Sequence, residues 1–233
     1  MHQQFSIDTM VKHYPHDYLP AAGHDALLPG YDVLTRLLGM RRVYDTLLGQ
    51  AELADGQRVL EIGCGTGNLS IRIKRSHPRV AVTGSDPDLL ALARARRKAL
   101  GLNDISFERG YAQQLPYPDG EFDRVLSSMM LHHLDEAAKR TAAKDVFRVL
   151  RPGGRLHLVD VGGDMSARDG LAARLVMRSR HAAANLGDAI PRLLGAAGFD
   201  CSEVAMQRHR IMGRLTYYRA TRPDGPARAT MAE

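Results

Sequence analysis

The chain has 233 residues, 44% of them hydrophobic and 25% charged, and its formal net charge is +6 at pH 7. A chain of this length can bury one sizeable core, which predicts a single main domain with a small elaboration. No apolar run reaches the length that crosses a bilayer, and residues 1–4 do not resemble the start of a signal peptide, so we expect a cytoplasmic protein without membrane insertion.

The N-terminal region precedes the first predicted strand. Residues 1–26 lack clean periodicity, whereas residues 27–38 and 42–53 have apolar positions at helical spacing and are separated at Gly39. We therefore expect residues 1–53 to form a helical cap that packs over or beside the sheet.

A glycine-rich loop follows the first predicted strand. Residues 59–62 form a short apolar run, Gly63, Gly65 and Gly67 alternate after it, and residues 68–76 have helical spacing. In an open parallel sheet such a loop lies at the carboxyl end of a strand, where ligands bind. Its spacing, G-x-G-x-G, differs from the G-x-G-x-x-G of dinucleotide-binding proteins. A strand-to-helix turn without a ligand is the alternative interpretation.

The next strand is followed by an acidic residue. We predict this strand at residues 80–83, ending at Gly84-Ser85-Asp86, and a helix at residues 87–100, with Pro87 in its favoured first turn. A carboxylate at this strand tip can accept hydrogen bonds from both ribose hydroxyls of an adenosine ligand. It can also serve as the N-cap of the following helix, so the two roles of Asp86 compete, and the preceding glycine loop favours the ribose.

The rest of the chain continues to alternate strands and helices. Strands are predicted at residues 105–108, 122–127, 155–161, 199–206 and 213–220, and helices at residues 135–150 and 189–197. We expect the last strand to pair antiparallel with the one before it. The main domain is predicted to span residues 54–222 and residues 223–233 to form a flexible tail. Between them, residues 162–188 form an insertion with an amphipathic pattern around Leu171 and Val176, which we expect to be a lid.

Three segments carry a resemblance to a known family. The sequence E-I-G-C-G-T-G, from Glu61 to Gly67, resembles the first motif of the class I S-adenosylmethionine-dependent methyltransferases. The run from Phe122 to Gly154 is also similar to this family, in which R-V-L-x-P-G-G is common. Tyr31-Asp32 and the segment at residues 39–42 resemble the ubiquinone and menaquinone biosynthesis type. The resemblance implies an α/β, Rossmann-like fold, with a doubly wound, mostly parallel sheet of seven strands and an N-terminal helical cap.

The resemblance also implies a cofactor and its contacts. The cofactor would be S-adenosyl-L-methionine, converted to S-adenosyl-L-homocysteine. Tyr31 would lie near the methionine part of the cofactor, and the alternative is a tyrosine that packs under a cap helix. The backbone of Ala112 would contact adenine. Tyr111 stands where Asp or Asn is usual and can stack or form a hydrogen bond. The expected cofactor-binding residues are Tyr31, Glu61, Gly63, Gly65, Thr66, Asp86, Tyr111, Ala112 and Ser128.

Two histidines follow the fourth predicted strand. His132 and His133 lie at its carboxyl end, where the site is expected, and histidine titrates near neutral pH. They are therefore the candidate catalytic bases, with a structural role as the alternative. No metal is expected, since the histidines lack carboxylate or cysteine partners at a suitable spacing and Cys64 and Cys201 are far apart.

The leading functional hypothesis is methyl transfer to O, N or C of a small organic acceptor. The Met, Leu and Tyr content near the predicted site, at the carboxyl ends of the strands, favours a ring-bearing or lipid-like acceptor. Methylation of RNA or protein is a rival that the positive charge permits, but no nucleic-acid module is visible, so a nucleic-acid partner is not expected. A catalytically inactive regulatory protein that binds the cofactor is a rival of another class. A nicotinamide oxidoreductase is disfavoured by Asn68. The sequence leaves the oligomeric state open.

Overall fold

A computed structural model describes residues 39–166, 169–170, 173–174, 177–178, 183–209 and 212–225. Its helices are α1 (Met40–Ala51), α2 (Asn68–Ser76), α3 (Leu89–Lys98), α4 (Glu136–Val149) and α5 (Ala189–Ala196), with a 3₁₀ helix at Leu131–His133. Its strands are β1 (Arg58–Ile62), β2 (Ala81–Asp86), β3 (Ile105–Arg109), β4 (Phe122–Ser128), β5 (Leu150–Val161), β6 (Asp200–His209) and β7 (Gly213–Thr221). The predicted helix at residues 27–38, Tyr31, Leu171 and Val176 lie outside the described residues.

The strands form one open sheet in the order β3-β2-β1-β4-β5-β7-β6. The pairs β1–β2, β1–β4, β2–β3 and β4–β5 are parallel. Strand β7 lies between β5 and β6 and is antiparallel to both. This arrangement confirms the predicted seven-stranded, mostly parallel α/β sheet, including the antiparallel final strand.

Alternation along the strands explains why helices cover both faces. Val59, Leu126 and Val159 belong to one buried cluster, which also contains apolar residues of α1 and α2. The adjacent residues Leu60, Val125 and Leu158 belong to a second cluster, with apolar residues of α4 and α5. Because successive strand residues point to opposite faces, each strand contributes to both cores, which is the pattern of a doubly wound sheet.

The predicted starts of α3 and β5 were wrong, whereas β2 ends at Asp86, as predicted. Helix α3 begins at Leu89, because the carboxylate of Asp88 accepts hydrogen bonds from the backbone N–H groups of Leu90 and Ala91. Strand β5 begins at Leu150 and not at residue 155, and a register shift separates the pairs Phe122–Leu150 and Arg124–Arg155.

His157, on β5, is fully buried, and neither ring nitrogen has a hydrogen-bonding partner among the described residues. Burial first, and then the nearby positive charges of Arg124, Arg155 and Arg219, lower the pKa of His157 to about 3. The histidine is therefore a packed core residue, and its burial has a consequence for stability in acid.

We expect the protein to lose stability below about pH 6.5 through His157. The unfolded chain takes up a proton near pH 6.5, whereas the folded chain stays neutral down to a pKa of about 3. The contribution of His157 to the free energy of unfolding is therefore fully present above pH 6.5. At pH 4.5 that contribution is smaller by roughly 3 kcal/mol. Urea unfolding at pH 7.5 and 4.5 should show a smaller loss for His157→Leu than for the natural chain. A His77→Gln control should retain the full loss, and an equal loss in all three proteins would contradict the prediction.

Candidate functional site

The glycine loop joins β1 to α2 and is held against β2. The backbone N–H of Gly63 donates to the carbonyl of Ser85 at 2.8 Å. Gly63, Gly65 and Gly67 have φ angles of 69°, 50° and 75°, a region that other residues rarely adopt. A Cβ on Gly65 would meet no atom within 4 Å, whereas a Cβ on Gly63 would lie 2.8 Å from that of Met130. The loop therefore presents open space at Gly65.

Asp86 lies directly beside this loop. Its side chain is buried, with one oxygen accepting from the N–H of Gly65 at 2.8 Å and the other from the N–H of Asp88 at 2.9 Å. Burial raises the pKa of the Asp86 carboxyl, and the two hydrogen bonds oppose that rise. Asp88 takes the N-cap role that the sequence left open for Asp86. The Asp86 carboxylate is therefore at the strand tip, between the loop and the start of α3.

Glu61 and Thr66 lie on the buried side of the loop. Glu61 accepts a hydrogen bond from the hydroxyl of Ser70 on α2, and burial raises its pKa to about 8. Thr66 is buried, and its hydroxyl accepts from the ammonium group of Lys98 at 3.3 Å. These contacts fasten the loop to α2 and α3.

The predicted adenine-contacting residues follow β3. Tyr111 and Ala112 are half-buried in a short turn that is closed by the N–H of Gln114 donating to the carbonyl of Tyr111 at 2.9 Å. Arg109 donates to the hydroxyl of Tyr111 at 3.2 Å. Arg148 of α4, which the sequence analysis missed, holds the segment after this turn by donating to the carbonyl of Tyr117 at 2.6 Å.

Ser127 and Ser128, the last two residues of β4, have hydroxyl groups without a hydrogen-bonding partner among the described residues. Buried polar groups ordinarily have partners, so orphaned hydroxyls beside an open loop fit a site for a polar ligand. Together with the open space at Gly65 and the carboxylate of Asp86, they provide donors and acceptors that suit a nucleoside carrying an amino-acid group.

A histidine–aspartate pair lies at the same edge of the sheet. The ring Nδ1 of His132 is 2.7 Å from a carboxylate oxygen of Asp160, near the end of β5. That oxygen also accepts from the N–H of Val161 at 2.7 Å. His133 packs against His132, with ring centroids 4.1 Å apart. The structure thus brings both predicted histidines together.

Asp160 adjusts the titration of His132. Burial by itself lowers the pKa of His132, but the charge and hydrogen bond of Asp160 outweigh it, so the pKa is raised. The sequence analysis missed Asp160, although an acidic residue at the end of an apolar strand and just before Gly162-Gly163 is a visible signal.

The described residues contain no group of three or more His, Cys, Asp or Glu residues arranged to hold a metal ion. Within the same part of the chain, no helix is both long enough and apolar enough to span a membrane.

Comparisons with known proteins agree with this geometry. Residues 59–154 match the family model described as a methyltransferase domain. The chain is 34% identical over 208 residues to the demethylmenaquinone methyltransferase of Deinococcus radiodurans, covering 84% of each protein. It is 39% identical over 122 residues to the 27-O-demethylrifamycin SV methyltransferase of Amycolatopsis mediterranei, which is 51% of this chain and 44% of that relative.

Solved structures share the fold. The YcgJ protein of Bacillus subtilis superposes with a TM-score of 0.65 at 17% identity, covering 79% of this chain and all of that one. The [4+2]-cyclase SpnF superposes with a TM-score of 0.65 at 25% identity, covering 79% of this chain and 81% of SpnF. A cyclase among the neighbours shows that the fold by itself does not define the reaction.

Proposed function

This chain belongs to the class I S-adenosylmethionine-dependent methyltransferases of the ubiquinone and menaquinone biosynthesis type, and we propose that it methylates a small organic acceptor at an atom activated by His132. Its cofactor is S-adenosyl-L-methionine and the product is S-adenosyl-L-homocysteine. The observation that carries the proposal is the His132–Asp160 pair at the carboxyl edge of the sheet. His132 lies in the 3₁₀ helix after β4, the strand that pairs with β1, and Asp160 lies near the end of β5.

The cofactor, when bound, supplies a methyl group already activated on a sulfonium. The remaining work of the protein is to hold an acceptor in line with that group, exclude water and remove a proton from the acceptor. Asp160 accepts a hydrogen bond from Nδ1–H of His132, which leaves Nε2 as the proton acceptor. The bound cofactor would supply the methyl group, with the electron pair of the broken S–CH3 bond staying on its sulfur, and Nε2 of His132 would take the proton that the acceptor loses.

Other residues have proposed roles in binding. The Asp86 carboxylate would bind the ribose hydroxyls, and the open backbone at Gly65, with Gly63 and Thr66 behind it, would face the amino-acid end. Further proposed cofactor contacts are Tyr31, Glu61, Tyr111, Ala112 and Ser128. Residues 1–53 and 162–188 would form the cap and lid that enclose the acceptor.

The acceptor is proposed to be ring-bearing or lipid-like. Met129, Met130 and Leu134 flank the histidines in the sequence and are only partly buried, so apolar side chains lie in the segment that carries the proposed base. The relatives named for demethylmenaquinone and for 27-O-demethylrifamycin SV support a small-molecule acceptor. We expect a phenolic or quinol-like ring carrying an apolar substituent.

Removing the Asp86 carboxylate tests the cofactor site. Asp86→Ala is expected to weaken binding of S-adenosylmethionine and S-adenosylhomocysteine by more than tenfold, about 1.4 kcal/mol, since two ribose hydrogen bonds are lost. Isothermal titration calorimetry measures both affinities, and a separate titration with NADH tests the alternative cofactor. Asp88→Ala is the matched control, because it removes a helix cap two residues away and should change stability rather than affinity. Equal affinities in Asp86→Ala and the natural chain would contradict the ribose role.

Turnover tests the proposed function itself. The protein is incubated with S-adenosylmethionine carrying a labelled methyl group and a panel of phenols, quinols, amines and structured RNA. Label should pass to a small ring-bearing acceptor. Label transferred only to RNA would favour the nucleic-acid alternative, and tight cofactor binding without transfer to any acceptor would favour a regulatory binding protein.

A further inference from the structure

The loop between β3 and β4 contains the residues proposed to contact adenine. It runs from residue 110 to residue 121 and includes the turn that Gln114 closes on Tyr111. At the start of the loop, the backbone N–H of Gly110 donates to the carbonyl of Asp86 at 3.3 Å. The loop therefore begins beside the residue proposed to bind the ribose, and a base attached to that ribose would meet the turn.

Two side chains of α4 bind the backbone on the other side of this turn. The carboxylate of Asp145 accepts a hydrogen bond from the N–H of Leu115, and Arg148 donates to the carbonyl of Leu115 at 3.0 Å. Arg148 also donates to the carbonyl of Tyr117 at 2.6 Å. These side chains provide the hydrogen bonds that a helix or a sheet provides elsewhere. The turn is thus fixed at both ends, by β2 on one side and by α4 on the other.

The guanidinium group of Arg148 is itself held in one orientation. Its Nε donates to Asp145 at 2.7 Å, and one of its terminal nitrogens donates to Asp119 at 2.9 Å. With the two backbone carbonyls, all three guanidinium nitrogens have acceptors, which suits the planar, rigid fork of arginine. Val146 and Val149 of the same helix belong to a buried apolar cluster, so α4 is a firm support for the loop.

We propose that Arg148 is a positioning residue that holds the turn at residues 111–114 in the conformation that accepts adenine and thereby contributes to the selection of this base. The inference rests on the proposed contact of Ala112 with adenine. A turn that is already ordered loses less conformational entropy when the ligand binds, so fixing it raises affinity. Fixed backbone donors and acceptors also distinguish bases whose edges carry different groups.

The test compares two ligands by calorimetry, S-adenosylhomocysteine and its inosine analogue, in which a carbonyl replaces the exocyclic amino group of adenine. The natural chain should prefer the adenine form. In Arg148→Gln the Kd for S-adenosylhomocysteine should rise about tenfold, and the ratio of the two affinities should fall at least about threefold. A partly unfolded variant binds both ligands less in the same proportion, so the ratio is a measure that a loss of stability does not move.

Arg140→Gln is the matched control, because Arg140 is an exposed arginine of the same helix that pairs with Glu136. It should leave both affinities unchanged. Arg148→Lys keeps the charge but not the fork, so it should resemble Arg148→Gln. Hydrogen exchange of the backbone at residues 111–117, measured without ligand, should be faster in Arg148→Gln and unchanged in Arg140→Gln.

The inference and the proposed function fail in different ways. A natural chain that does not prefer adenine, or an Arg148→Gln variant with an unchanged ratio of affinities, overturns the inference. Equal weakening of both ligands belongs to the second case, since Arg148 would then support stability alone. A natural chain that prefers adenine but transfers no methyl group to any acceptor refutes the proposed function and leaves the role of Arg148 in place.

Discussion

Replacing His132 with Gln is expected to lower kcat by about 10²–10⁴-fold, the usual contribution of a positioned acid or base. Glutamine keeps a polar side chain of similar reach but cannot accept a proton near neutral pH. The affinity for S-adenosylhomocysteine should stay within about twofold, because His132 is bonded to Asp160 rather than to the glycine loop. Steady-state kinetics with the acceptor from the turnover screen and calorimetry with the product together measure the two effects.

Two neighbouring variants serve as controls for this prediction. Asp160→Asn should also lower kcat, since the amide can no longer fix the ring tautomer that leaves Nε2 free. His133→Gln should change KM more than kcat, because His133 contacts the ring of His132, whereas it is Nδ1 of His132 that lies 2.7 Å from Asp160. A kcat for His132→Gln within tenfold of the natural value would refute its role as the base.

Adding one methyl group at Gly65 is expected to abolish most cofactor binding without unfolding the protein. The added Cβ would have no atom within 4 Å, so it would not clash with the protein. The expected loss of unfolding free energy is about 1 kcal/mol, because alanine is disfavoured at a φ of 50°. The new methyl group would fill the space in which the ligand approaches the backbone. We expect the Kd for S-adenosylmethionine to rise by about 10²-fold, measured by calorimetry.

Gly63→Ala is the matched comparison within the same loop. Its Cβ would lie 2.8 Å from the Cβ of Met130 and close to its Cγ, and the φ of 69° disfavours alanine. The expected loss is about 3 kcal/mol of unfolding free energy from strain and overpacking. Thermal unfolding should therefore separate the two variants. If Gly65→Ala lost stability but bound the cofactor normally, the open face of the loop would not be the cofactor site.

Much of the fold was predictable because the signals are local. The runs at residues 59–62 and 122–127 were confirmed as strands of the sheet, and the glycine loop as the connection between β1 and α2. Boundaries were less predictable. Helix α3 begins after Asp88, which caps it, and not at Pro87. Strand β5 begins at Leu150 and not at residue 155, with a register shift against β4.

The sequence by itself determined the α/β alternation, the family motif at Glu61 and the candidates Asp86, His132 and His133, because each depends on a short pattern or a strand tip. Only the tertiary structure revealed that Asp160 meets His132 across 28 residues of chain and that Lys139 meets Asn185 across 46. Such contacts arise from the parallel pairing of strands and the helix packed on them, and no local periodicity specifies which distant side chains come together.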